Sequence, residues 1–139
     1  MFGQYTSANV VGLLFSSSSC RWNESFIPIL EDLYSDLNDV GIDIVMVCGD
    51  ECKSKYNLYK DQQSWPVIAW DDEYRSSLID MYDIQTFPTL VFTDKRGNIL
   101  DPMGHRTIKQ LVNSYDPQDL AHQLAIQLSD AIDDSDDSE

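Results

Sequence analysis

An α/β fold is predicted from three stretches of the chain. Val10-Val11-Gly12-Leu13-Leu14-Phe15 is short, apolar and bounded by polar residues, the pattern of a strand buried centrally in a sheet. Phe26, Ile27, Leu30, Leu33, Tyr34 and Leu37 then recur at spacings of three and four, the stripe of an amphipathic helix. Ile42 to Val47 is a second apolar run, and strand–helix–strand order requires a crossover and parallel pairing. Parallel strands end on one edge of the sheet. The loops near Ser17 and Cys48 therefore meet where open α/β sheets bind ligands.

Each further element follows from local chemistry. Residues Met1 to Asn9 are polar and leave room for at most one edge strand. Four serines, Ser16 to Ser19, lead into Cys20, which sits where the first strand hands over to the helix. Pro28 lies in the helical stretch, and read alone it starts a new helix there. Gly41 ends the helix. Asp50 is a plausible N-cap for a helix over Glu51 to Lys60. Ser76 to Tyr82 forms a short helix, and Leu90 to Phe92 belong to an apolar strand. Asp94 to Asn98 make a hairpin turn around Gly97, so Ile99-Leu100 pair antiparallel. Ile108, Leu111 and Val112 mark one helical stretch. Asp116-Pro117 starts another, with Leu120, Leu124, Ile126 and Leu128 apolar. The domain spans residues 1–128, and the acid-rich end, 129–139, reads as a disordered tail.

Composition narrows the function. A chain of 139 residues is long enough for one domain with a real core. A net charge of −15 argues against nucleic acid and against an anionic membrane surface. No apolar run approaches the roughly 20 residues needed to span a bilayer. The Met1-Phe2-Gly3-Gln4-Tyr5 start has neither a basic region nor a long apolar core, so no signal peptide is expected. Three cysteines, Cys20, Cys48 and Cys52, are too few for a disulfide scaffold, which points to a reducing compartment. The expected location is the cytoplasm, with the nucleus as the alternative.

Cys20 carries the candidate chemistry. The first turn of a helix offers unpaired N–H groups and the positive end of the macrodipole. A thiol there is biased toward thiolate, the nucleophilic form, and Arg21 would add to the bias. The plain alternative is a small, inert residue filling a loop.

Val11-Gly12-Leu13-Leu14-Phe15-Ser16-Ser17-Ser18-Ser19-Cys20, followed by Phe26-Ile27-Pro28-Ile29-Leu30, resembles the active-site strand and helix of the thioredoxin-like proteins, tryparedoxin and nucleoredoxin branch. That resemblance implies a thioredoxin-like fold, with a central mixed sheet flanked by helices and a cis-Pro loop. It implies a helix kinked near Ser25 to Ile27, where the family also has a proline. It marks Thr86-Phe87-Pro88-Thr89 as the segment whose proline is cis and faces the active-site cysteine. From the residues alone, Pro88 fits a trans proline opening an edge strand equally well. The resemblance also places Trp65-Pro66-Val67-Ile68-Ala69 beside the site, with Trp65, Phe87 and Pro88 in the substrate groove. Leu14 stands where thioredoxins proper carry a buried aspartate, a position the resemblance implies is nonacidic in this branch.

The departures set the functional question. The active-site motif reads Ser19-Cys20-Arg21-Trp22-Asn23. Ser19 replaces the family tryptophan, Arg21 and Trp22 replace two prolines, and Asn23 replaces the second, resolving cysteine. The leading expectation is a monothiol thiol–disulfide oxidoreductase acting through Cys20 on protein or low-molecular-weight disulfides and thiols. An external thiol, or Cys48 or Cys52, would resolve it. Asn23, Ser18 or Ser19 would hydrogen-bond the thiolate. The rival is a redox-inactive interaction module, for which an exposed Trp22 would be an anchor and the acidic tail would serve solubility or a basic partner. A zinc site using Cys48 and Cys52 with His105 or His122 has the atoms but none of the usual spacings. No metal and no organic cofactor are expected.

Overall fold

In the computed structural model, which describes residues 2–137, four strands form one sheet. They are β1 (Val10–Ser16), β2 (Ile42–Cys48), β3 (Thr89–Asp94) and β4 (Ile99–Asp101), in the spatial order β2-β1-β3-β4. β1 and β2 run parallel, with Phe15 opposite Val47 and Ser16 opposite Cys48. β3 is antiparallel to both β1 and β4, so the sheet is mixed as expected.

Alternation along the strands makes two apolar layers, because successive side chains point to opposite faces. Val10, Leu14, Ile44, Met46, Leu90 and Phe92 pack with the helix α1 (Phe26–Asp39) and with the C-terminal helices α4 (Gly104–Val112) and α5 (Pro117–Asp137). Val11, Leu13, Phe15, Val45, Val47 and Val91 face the other way, onto Phe2, Ile68 and Leu78. Leu78 comes from α3 (Tyr74–Met81), and α2 (Lys53–Asp61) follows β2. The stretch around Val67 pairs with Met46 as a single parallel bridge along the free side of β2. Gly41 takes φ +86° where α1 turns into β2, a conformation that suits a residue without Cβ.

Several elements differ from expectation in informative ways. Cys20 does not begin an α-helix. It precedes a 3-10 turn, Arg21–Asn23, and α1 starts only at Phe26. The helix is therefore broken before Phe26 rather than kinked, and Pro28 is its third residue. The missing N–H there is one of the four that a helix start leaves unpaired anyway. Asp50 is not a cap: α2 is preceded by Cys52, and the Asp50 carboxylate turns inward. No strand precedes Val10 among the described residues, within the expectation of at most one. The last helix continues to Asp137, past Ser129, where a disordered tail was expected to begin. Leu128 is buried and extends the stripe of Leu120, Ala121 and Leu124 at helical spacing, while Ile126 of the predicted pattern is exposed. Residues 138–139 of the expected tail lie outside the described residues.

Candidate active site

The site is built on the loop from Ser16 to Asn23, which leaves the C-terminal end of β1. Ser16 and Ser17 are buried, Ser18 and Ser19 are exposed, and Cys20 is half-buried. Cys20 lines an open groove of ≈ 600 Å³ with Ser17, Ser19, Arg21, Thr86, Phe87 and Pro88. The Phe87–Pro88 peptide bond is cis. Ser19, Cys20, Arg21, Phe87 and Pro88 therefore meet at one place.

The hydroxyl facing the sulfur belongs to a residue the sequence did not single out. Ser17 Oγ lies 3.2 Å from Cys20 Sγ, and 3.3 Å from Ser19 Oγ. Asn23, the expected partner of the thiolate, is committed elsewhere. Its Nδ2 donates to the carbonyls of Ser17 and Ser18, each at 3.1 Å. Its Oδ1 accepts from the Tyr59 hydroxyl, which also lies 3.1 Å from Ser16 Oγ. Asn23 thus braces the loop from within and does not address the sulfur. Burial pushes the Tyr59 phenol up to about 12, so it stays protonated and can donate.

A second tie comes from the loop after β2. Asp50 is 8% exposed, and its carboxylate accepts from Ser18 N at 3.1 Å, Ser18 Oγ at 3.0 Å and Cys48 Sγ at 3.3 Å. Arg75 closes the other side. Its Nη1 donates to the carbonyls of Cys48 and Asp50, and its guanidinium lies 4.2 Å above the Trp70 ring. Gly49 has a steric task. A Cβ there would fall 1.7 Å from Phe87 Cε2, so the Phe87 ring rests directly on its backbone. Ser17, Gly49, Asp50, Tyr59 and Arg75 all shape the site. Of these only Ser17 lies in the family-like stretch, and the contacts that tie the others to the site (Gly49 to Phe87, Asp50 to Ser18, Tyr59 to Asn23, Arg75 to Asp50) each span 25 or more residues.

The remaining candidates are placed apart. Trp22 is buried, not exposed: it stacks on His105 at 4.2 Å and meets Phe26 at 5.0 Å, so it packs onto its own domain. Trp65 is buried against Tyr34, edge to face at 5.5 Å, and does not line the Cys20 groove. All three cysteines are free thiols. Cys48 is buried, and burial, with the Asp50 carboxylate beside it, pushes its thiol up to about 12. Cys52 is exposed. The Ser54 hydroxyl, 3.0 Å away, and the N–H groups of Lys55 and Ser54 pull its pKa down. Among the described residues, no group of three or more His, Cys, Asp or Glu side chains is arranged to hold a metal ion, and no helix is long and apolar enough to cross a membrane.

Comparison with known proteins agrees with this fold. Residues 8–99 match the model of a thioredoxin-like family. The chain is 31% identical over 101 residues to a probable nucleoredoxin 1 of Arabidopsis thaliana, covering 71% of this chain and 18% of the relative. It is 28% identical over 97 residues to human nucleoredoxin, covering 68% of this chain and 22% of that protein. The chain thus spans about a fifth of the length of these relatives. Tryparedoxin I from Leishmania major superposes with a TM-score of 0.67 at 23% identity, covering 75% of this chain and 74% of that one.

Proposed function

The chain belongs to the thioredoxin-like family, and on that premise we propose that it is a monothiol thiol–disulfide oxidoreductase acting through Cys20. The observation that carries the reading is the half-buried Cys20 thiol lining one groove with the cis Phe87–Pro88 peptide. In the forward step the Cys20 thiolate attacks one sulfur of a protein or low-molecular-weight disulfide. A bond forms between Cys20 Sγ and that sulfur, the substrate S–S bond breaks, and the departing thiolate takes a proton. An external thiol, glutathione in the simplest case, then attacks Cys20 Sγ of the mixed disulfide and releases the second substrate thiol, and a second glutathione attacks the resulting Cys20–glutathione disulfide, leaving oxidised glutathione and the Cys20 thiolate. The two electrons come one from each glutathione. Ser17 Oγ is placed to donate to the sulfur, whereas Asn23 holds the loop in shape.

Internal resolution has little physical support at Cys48, which is buried and protonated. Cys52 is exposed and more acidic than an ordinary thiol, so it is the chain's own alternative to an added one. We place the protein's work in the cytoplasm, with the nucleus as the second location. A redox-inactive interaction module remains the second reading. It is favoured by the amide of Asn23, which replaces a second thiol with a structural brace.

Insulin reduction in the presence of glutathione tests the proposal. Turnover is expected to need both glutathione and Cys20, and Cys20→Ser is expected to abolish it. Turnover that survives Cys20→Ser removes the reading. No turnover at all, with partner capture unaffected by Cys20→Ser, supports the interaction module instead.

A further inference from the structure

The chain is strongly acidic, with 24 Asp and Glu against 9 Lys and Arg. That excess thins out in the segments around Cys20. The loop 17–23, the segment 84–93 and the stretch 103–113 contain no Asp or Glu, yet they hold Arg21, Arg106, Lys109 and His105. Arg21, Arg106 and Lys109 are exposed. Among the described residues, none of the three has a carboxylate within ion-pair distance. Asp50, beneath the loop, is taken up by Ser18 and Cys48, Asp101 is taken up by the Met103 N–H and the Thr107 hydroxyl at the start of α4, and Glu24 follows the turn on the exposed surface.

The fold gathers these cations on purpose-built packing. The Trp22 ring stacks on His105 at 4.2 Å, and Phe26 meets the same imidazole edge-on at 4.5 Å. That stack clamps the Arg21–Asn23 turn against the start of α4. Burial lowers the His105 pKa, and the charges of Lys109 and Arg21 lower it further. His105, Arg106 and Lys109 line a shallow cavity of ≈ 290 Å³ on α4, and Arg21 also lines the Cys20 groove. The positive face is thus continuous with the thiol groove through the Arg21 turn.

We propose that the Cys20 groove selects acidic protein partners, in which Asp or Glu residues flank the reacting cysteine and settle on Arg21, Arg106 and Lys109. This rests on Cys20 being the exchanging thiol and names the substrate class of that site. A positive face on a chain of charge −15 attracts such a segment locally, while the rest of the surface repels it in other orientations.

The test uses three peptides with one cysteine each, flanked by acidic, neutral or basic residues and activated as a neutral 2-thiopyridyl disulfide. Cys20 attacks the peptide sulfur, a peptide–Cys20 disulfide forms, and 2-thiopyridone leaves with the proton and is read by absorbance. Cys52→Ser protein is used so that the exposed thiol does not compete. At low salt the acidic peptide should react about tenfold faster than the basic one, and the difference should collapse near 0.5 M salt, where screening is within about 4–5 Å. Arg106→Glu with Lys109→Glu should invert the acidic-to-basic ratio. Equal rates for the two charged peptides, or a ratio unmoved by the double reversal, overturns the proposal. If no peptide releases thiopyridone, the exchange reading of Cys20 fails. The patch is then judged by fluorescence anisotropy of the serine versions of the peptides on Cys20→Ser protein. Preference for the acidic peptide, lost on charge reversal, sustains the selectivity; no preference ends it.

Discussion

Two loops leave the same edge of the sheet from paired positions, and they treat sulfur in opposite ways. Ser16 and Cys48 are register partners at the ends of β1 and β2. The loop after β1 holds its thiol four residues further on, half-exposed and beside a cis peptide. The loop after β2 buries Cys48 at once and follows it with Gly49 and Asp50, which support the first loop from below. The comparison teaches that position at the ligand-binding edge is insufficient for reactivity. What separates Cys20 from Cys48 is the distance the chain travels from the strand end before the sulfur appears.

Five experiments break or sharpen that contrast. Asp50→Ala removes the carboxylate that joins the loops and is expected to cost about 1.5–3 kcal/mol, the range for hydrogen bonds to charged groups. Urea denaturation reads the stability, and insulin reduction should fall with it because Ser18 loses both ties. Gly49→Ala drives a methyl into the Phe87 ring and should cost about 1–3 kcal/mol through overpacking. Its signature is a larger loss of turnover than Cys48→Ala produces at matched stability, since Phe87 lines the Cys20 groove.

Truncating the sulfurs themselves comes next. Cys48→Ala should destabilise by about 1 kcal/mol, and Cys52→Ala should stay within about 0.5 kcal/mol, as buried and exposed sites do. Alkylation followed by mass spectrometry should find Cys20 and Cys52 labelled in native protein and Cys48 only in denaturant. Label at Cys48 under native conditions would undo the contrast. The smallest effect is a pH dependence. The His105 pKa is lowered in the folded chain, so the unfolded chain binds the extra proton first. Stability from this group is complete above about pH 6.5, the ordinary value for a histidine, and declines as pH falls below it. The urea midpoint should drop on acidification, and His105→Phe, which keeps a ring on Trp22, should remove that component.

The strands and most helices were legible because each is written in local periodicity. Val10 to Phe15 and Ile42 to Val47 are continuous apolar runs, and Leu30, Leu33 and Leu37 mark one helix face. The cis peptide was legible only through family resemblance, since Phe87-Pro88 alone permits either isomer. The 3-10 turn after Cys20 was not legible. Arg21-Trp22-Asn23 suits a first helical turn equally well, and the choice is made by Trp22 finding His105, 83 positions away. Asp50 was misread for a related reason. Before a helical stretch it looks like a cap, yet Ser18 supplies the better-placed donors from the neighbouring loop. The C-terminal stretch showed its acidity more plainly than the burial of Leu128 that continues the helix.

Asn23 has a consequence for anyone wishing to convert this chain into a dithiol enzyme. Cysteine at that position offers neither the two amide hydrogens that reach Ser17 and Ser18 nor the oxygen that accepts from the Tyr59 hydroxyl. Installing the second sulfur would therefore unstitch two backbone carbonyls and one buried phenol at the spot where rigidity is required. Any gain in electron-carrying capacity would come with a slacker scaffold, unless Tyr59 were redesigned in the same step.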